Sequence, residues 1–339
     1  MNRRSFLAAL AVLPWSRALL GEAATPKVHV FGRLPAPERV RRVFAAGPPA
    51  AVLAHVLAPE KLLGWPQELS AEARAWLAPG VRDQPFLGRL AGRGSTMPLE
   101  KLLALEPDLI LDTGTVDATY LSTAEDVQAR TGLPYVLLPG RLIDSAWQLL
   151  EAGRMLGVPA RGEQLARAAE ARLDQARARR DQAATRVPKV YLARGADGLE
   201  TALAGSINAE ALELSGGVNI ATGPGGNIAR FSLEQLFAWA PEVVLTQDAK
   251  FHAHALADAS WRRLPALSNG RFHLAPSLPF GWLDGPPGVN RLISLPWLAS
   301  RLHGAATDAD RAAEAQAFHR LFYGYAPELS AFEKLLVNA

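Results

Sequence analysis

The sequence predicts an α/β protein of two Rossmann-like lobes, joined by one long helical connection and facing each other across a cleft. Three observations predict it. A helix–proline–strand unit is written twice, as "LEKLLALEPDLILD" (99–112) and within "SLEQLFAWAPEVVLTQD" (232–248). Leu99, Glu100, Leu102, Pro107 and Leu111 answer to Leu233, Glu234, Leu236, Pro241 and Leu245, always 134 positions apart. Around each copy, short apolar runs alternate with amphipathic stretches, the order expected of a parallel sheet with helices on its faces. Between the copies lies a stretch rich in Ala, Arg, Glu and Leu that carries no strand signal. Two similar lobes create a cleft, a favoured place for ligands, and 339 residues are enough for both.

The elements follow in order. Residues 2–13, "NRRSFLAALAVL", set Arg3 and Arg4 ahead of a short apolar run, with Pro14 and small residues near Ala23 behind it. The run falls short of the roughly 20 apolar residues a membrane span needs. Twin arginine followed by Phe6-Leu7 fits a Tat export signal, so 1–24 are set aside as an address and the first lobe is expected over 25–142. There "KVHVFG" (27–32) alternates and closes on glycine, a strand. "AAVLAHVL" (50–57) reads as a second strand, with His55, like His29, a core histidine. "PLEKLLALE" is a helix and "PDLILD" a buried strand after the proline break, and "VQARTGLPYVLLPG" (127–140) repeats helix, turn and strand. Over 143–186, strong helix formers are divided by Gly157 and Pro159 into a short and a long helix. The second lobe, 187–339, has strands at "KVYLARG" (189–195), "VVLTQD" (243–248) and "GRFHLAP" (270–276) and is helical from Ser294.

Composition excludes several classes. With 49% hydrophobic and 20% charged residues the chain is globular, not disordered. The formal charge is only +3. Its arginines sit at helical spacing among acids without interleaved aromatics, a solvated face and not a nucleic-acid track. The absence of cysteine removes disulfides, thiolate metal sites, a cysteine nucleophile and lipid attachment through an N-terminal cysteine. No Gly-x-Ser-x-Gly elbow, His-Glu-x-x-His or dinucleotide glycine motif in a strand–helix context occurs. "GPGGN" (223–227) is glycine-rich but runs directly into the second repeat. No catalytic residue, protein metal site or cofactor is therefore assigned.

Strand C-terminal ends and the loops after them face the cleft in such a fold. In the first lobe these are Arg33 after the first strand, Trp65 after the second, Arg93 and Ser95 in "GRGST", and Thr115 after the repeated strand. "GRGST" lacks the Gly-Lys-Ser/Thr of a nucleotide loop. It could hold an anion through backbone N–H groups and a guanidinium, though a tight turn before a helix explains it equally. In the second lobe the candidates are Arg194, Gln247, Phe251, Trp282 and Asp284. Trp282, set among glycines and prolines, either packs on a ligand or folds back onto Pro286-Pro287. Arginines and aromatics suit a large planar or anionic chelate. His252 and His254 would share one face of a strand and could bind a metal. In the Ala-rich helix their context favours they diverge, giving a solvated or capping role.

Export signal, lobe, long helix, lobe and an LExLxxxxP unit in each lobe together resemble the class III periplasmic solute-binding proteins of ABC importers. "PSLPFGWLDGPPGVNRLISLPWLA" (276–299) is similar to the Asp-x-Pro-Pro-x-x-Asn-Arg-Leu stretch of relatives that bind iron complexes. The resemblance implies a soluble, monomeric periplasmic carrier with limited hinge motion. It captures a metal chelate, foremost a ferric siderophore, and hands it to an inner-membrane permease with its ATPase. Cobalamin, haem or an oxyanion such as molybdate are the alternatives, and an exported enzyme is the competing class. The Tat machinery is the implied export partner and nucleic acid is not a partner. One acid on each lobe would dock the permease; the most similar positions are Glu125 and Glu213, with Glu210 a rival for the second.

Overall fold

The computed structural model describes residues 26–92, 94–183, 187–224, 226–304 and 308–337. Strands β1 (His29–Phe31), β2 (Val43–Ala45), β3 (Leu109–Gly114) and β4 (Tyr135–Pro139) form a first sheet in the order β1-β4-β3-β2. Helix α1 (Pro48–Leu57), the short α2 (Ala71–Ala75) and α3 (Pro79–Arg82), and α4 (Leu99–Ala104) connect β2 to β3. Helix α5 (Ala118–Thr131) connects β3 to β4. Helices α6 (Ser145–Met155) and α7 (Pro159–Gln182) follow; Gly153 and Gly162 let them touch, since a Cβ on Gly153 would stand 2.8 Å from the Gly162 Cα.

The second sheet is built from β5 (Lys189–Ala193), β7 (Val218–Asn219), β9 (Val243–Thr246) and β10 (Phe272–Leu274), in the order β10-β9-β5-β7 and parallel throughout. Strands β6 (Glu200–Ala202) and β8 (Ile228–Arg230) pair as a separate antiparallel ribbon. Helices α8 (Glu210–Leu214), α9 (Leu233–Trp239), α10 (Ala249–Ala257) and α11 (Pro265–Ser268) connect the strands. Helices α12 (Ser294–His303), α13 (Asp308–Phe322) and α14 (Leu329–Val337) close the chain. Among the described residues no helix is long and apolar enough to cross a membrane.

The two copies of the repeated unit take equivalent places: β3 lies between β2 and β4, and β9 between β5 and β10. The equivalence extends to single residues. Glu106 (φ 44°) and Ala240 (φ 48°), again 134 apart, are the left-handed non-glycine residues of the described chain. Each ends its helix just before the proline, which disfavours a right-handed helical residue in front of it. The acid after each proline pins a neighbouring strand. Asp108 accepts from the Arg41 and Arg42 N–H groups before β2 at 2.7 and 2.9 Å, and Glu242 from the Lys189 N–H of β5 at 3.3 Å.

Strand alternation divides the core into three. Phe44, Ile110, Tyr135 and Leu137 face an outer cluster under α4 and α5. Tyr191, Ala193 and Val244 face a second outer cluster with Phe251 and Trp261. Val43, Leu109, Leu111, Val136, Val190, Leu192, Val243 and Leu245 all turn into one central cluster shared by both lobes, α6, α7 and the C-terminal helices. A core common to both lobes removes the independence that a wide clamshell motion needs. Arg161 on α7 adds to the seam, donating to the carbonyls of Val56 at 3.1 Å and Leu321 at 2.6 Å.

Two expectations about the first lobe are corrected. Residues 50–57 are helix α1, not a strand, because Pro48-Pro49 occupy its first turn and pre-set φ there; the second strand is the three-residue Val43–Ala45. His55 is buried, but on that helix, while His29 is only half-buried on an edge strand. The edge strand is also the one that runs backwards, since β1 pairs β4 antiparallel. The Tat signal lies outside the described residues.

Candidate functional site

The C-terminal ends of both sheets converge on a cavity of about 590 Å³. From the first lobe come Gly47 with Pro48 and Pro49 at the start of α1, Gln67, Arg89 with Ala91 and Gly92, and Asp112–Thr115 at the end of β3 with Tyr120 on α5. From the second lobe come Arg194 after β5, Ile207-Asn208 before α8, Asn227-Ile228 at β8 and Asp284–Pro287 after β10. The volume falls in the range of small-molecule sites. Local signals aim these segments. Asp117 caps α5 by accepting from the Thr119 and Tyr120 N–H groups at 2.9 and 3.0 Å, which fixes Tyr120 beside the strand end. Gly140 has no room for a side chain, since a Cβ there would stand 2.5 Å from the Gly114 Cα, so β3 and β4 end in contact.

The second-lobe wall is a hydrogen-bonded network centred on Asp284. The buried Asp284 accepts from Gln247 at 3.0 Å and Asn208 at 3.3 Å and pairs with the Arg194 Nε at 2.9 Å. Arg194 also reaches Glu200 at 3.4 Å. Burial pushes the Asp284 carboxyl above its ordinary range, and Arg194 opposes that rise. The loop itself is held by Asn290, which donates to the carbonyls of Gly281 and Pro286 at 2.6 and 3.0 Å.

The first-lobe wall differs. Asp112 is buried and takes a hydrogen bond from the Tyr135 hydroxyl at 2.8 Å. Tyr135 lies opposite Ile110 in the ladder, on the same face two residues before Asp112, so its phenol reaches along the sheet to the strand end. Burial pushes the Asp112 carboxyl up to about 6, offset in part by that hydroxyl and the Thr113 backbone. Burial, then Asp112 and Asp117, push the Tyr120 phenol up. Across the cleft, the Asn227 amide donates to the Thr115 hydroxyl at 2.9 Å.

Beside the cleft a charge latch joins the lobes. Glu210 accepts from the Arg141 Nε at 3.1 Å and the Leu142 N–H at 2.6 Å and pairs with the fully buried Arg291 at 3.5 Å. Arg291 also donates to the carbonyls of Gly140 and Ile207, one from each side. Burial lowers the Arg291 pKa and Glu210 counters it.

Of the residues expected at the site, Thr115, Arg194 and Asp284 line the cleft, and Gln247 stands behind Asp284. The aromatics do not line it. Trp65 packs on His55 and Phe280 (centroids 5.7 and 5.6 Å), Trp282 lies in the central cluster with its indole N–H toward Leu278, and Phe251 fills the outer cluster against Trp261. Arg33 follows a strand antiparallel to its neighbour, so it emerges at the opposite end of the sheet. Ser95 is exposed and bonds the Arg89 and Met97 carbonyls. Arg93 lies outside the described residues. Glu125 is exposed on α5, while Glu213 is half-buried and accepts from the Gly205 N–H at 2.9 Å. Glu210, the rival acid, is committed to the latch. His252 and His254 sit on α10; His252 packs on Phe272 at 4.5 Å and His254 is exposed.

The sequence reading missed Asp112, Tyr120, Arg89, Asn208 and Asn227. Asp112 had a signal, a lone carboxylate ending an otherwise apolar strand; Asn227 closes the "GPGGN" segment. Among the described residues no three His, Cys, Asp or Glu side chains gather to hold a metal ion.

A family profile described as periplasmic binding protein matches residues 60–278. No curated protein sequence matches the chain. Among solved structures, an ABC transporter solute-binding protein of Sulfurospirillum deleyianum superimposes with a TM-score of 0.80 at 25% identity, covering 89% of this chain and 95% of that one. A molybdate periplasmic binding protein of Haemophilus influenzae, bound to molybdate, gives 0.67 at 21% identity over 87% and 96%. A periplasmic haem-binding protein of Pseudomonas aeruginosa gives 0.62 at 21% over 79% and 94%.

Proposed function

The chain belongs to the periplasmic binding protein family, and on that premise we propose that it is the substrate-binding component of an ABC importer, capturing a ferric siderophore or related iron chelate between its lobes. The observation that carries the reading is the cleft of about 590 Å³ at the converging strand ends, with hydrogen-bonding side chains contributed by both lobes. Among the described residues its polar side chains are amides, hydroxyls, carboxyls and two arginines; four prolines, two isoleucines and Ala91 supply the apolar part, and Tyr120 is the one aromatic ring. Such a wall suits the oxygen- and amide-rich shell of a siderophore better than the flat face of haem, which calls for stacking rings. The cavity is also much larger than a tetrahedral oxyanion. Binding and release are the function, and no bond is made or broken. Export follows the Tat route, and Glu125 and Glu213 dock the inner-membrane permease.

Calorimetric titration of the purified protein with ferric hydroxamate and catecholate siderophores, haemin, cyanocobalamin and molybdate tests this. One ferric siderophore is expected to saturate at one-to-one stoichiometry, with Arg194→Met weakening it tenfold or more, about 1.4 kcal/mol. Saturation by molybdate alone moves the ligand to the oxyanions, and silence from every probe returns an exported enzyme to contention.

A further inference from the structure

We infer that Asp112, Thr113 and Tyr120 form a hydrogen-bond-accepting subsite on the first-lobe wall, which reads amide N–H or hydroxyl groups on the organic rim of the bound chelate. The inference rests on the function proposed above and adds the feature by which one chelate is told from another. It comes from an asymmetry between two buried carboxyls facing one cavity. Asp284 takes three hydrogen bonds from side chains, Gln247 on one oxygen and Arg194 and Asn208 on the other. Asp112 receives the Tyr135 hydroxyl on one oxygen, with the Thr113 backbone assisting. A carboxylate offers about four acceptor positions, so Asp112, which lines the cavity, keeps more unused acceptor capacity than Asp284. The Thr113 hydroxyl beside it is buried and has no hydrogen-bond partner among the described residues. Buried polar groups are almost always satisfied, and two with spare capacity on one wall point to a ligand that completes them. Tyr120, half-buried in the first turn of α5, supplies a further hydroxyl to the same wall.

The charged and titratable groups around Asp112 are Tyr135 on β4, Tyr120 on α5 with Asp117 at its cap, Arg89 in the same lining, and the Arg194–Asp284 pair opposite. Asp112 accepts fully only when ionised. With its carboxyl held at about 6, acidification from pH 7.5 to 5 leaves about one part in ten ionised and weakens a donor-rimmed ligand about tenfold.

The test titrates wild type, Asp112→Asn and Tyr120→Phe at pH 7.5 and 5.0. Ferrichrome and cyanocobalamin, whose rims carry amide N–H groups, are set against haemin and molybdate, which lack them at pH 7.5. Expected are a preference for a donor-rimmed probe, an about tenfold loss on acidification, and a flattened pH dependence in Asp112→Asn. Thermal melts confirm that each variant folds, and Tyr120→Phe, at a half-exposed position, gives a smaller loss if Asp112→Asn does not fold. An Asp112→Asn profile parallel to wild type, an unchanged Tyr120→Phe, or tighter binding of haemin or molybdate overturns the subsite while leaving the carrier function standing. Binding of no probe at all overturns both.

Discussion

Acidification should loosen the seam where the C-terminal helices pack on the first lobe, and His319 supplies the lever. Its ring on α13 stands edge-on to Trp76 at 5.4 Å, Phe332 at 4.8 Å and Tyr323 at 4.8 Å. Neither ring nitrogen has a hydrogen-bond partner among the described residues. Burial therefore holds the imidazole neutral, with its pKa lowered from 6.5 to about 3. Because the folded value is the depressed one, the unfolded chain takes the proton first. Stability is intact above pH 6.5 and declines as the pH falls toward 3. At pH 5 the unfolded histidine is almost fully charged and the folded one is not, a difference of about 2 kcal/mol. His55, lowered to about 4 by burial and by Arg161, acts in the same direction. Asp112 acts oppositely, since its raised pKa makes acid relieve the cost of its buried charge, so the comparison must be between variants. Urea unfolding at pH 7.5 and 5.0 should show wild type losing about 2 kcal/mol more than His319→Leu. Equal losses in the two proteins would refute the reasoning.

Removing Glu210 leaves Arg291 buried without its counter-charge: Glu210→Ala should cost about 3–5 kcal/mol in denaturant unfolding, and adding Arg291→Met should recover part of it. Trp282→Ala should cost about 3–5 kcal/mol of stability through the cavity it leaves, yet leave chelate affinity of the folded protein, by calorimetry, within about twofold. Ala240→Gly should raise stability by about 1 kcal/mol, seen as a higher Tm, because glycine takes the left-handed turn before Pro241 without the Cβ penalty.

The lobes, the repeated unit and the two connecting helices were legible because they are written in local periodicity, and the left-handed residue, proline and acid recur at one offset in both sheets. The cleft was legible in part, since parallel strands deliver their following loops to one end: Thr115, Arg194 and Asp284 reached it by that rule. Arg33 did not, because period-two alternation marks a strand without giving its direction, and β1 runs antiparallel. Trp65, Trp282 and Phe251 follow turns, as ligand-stacking residues do, but their burial depends on Phe280, His55, Trp261 and other residues distant in the chain. Asp112 looked like the end of a hydrophobic strand until Tyr135, 23 residues on, was seen to reach it. The sequence by itself determined most of the helices and strands and that they form two equivalent halves, because backbone preference and burial period are local. The short apolar run at 50–57 fits either period, and it was settled as helix α1 only by the structure. Only the tertiary structure decided which side chains meet in the cleft and which carboxyl keeps room for a ligand, because hydrogen-bond partners and desolvation are set by neighbours that no local pattern names.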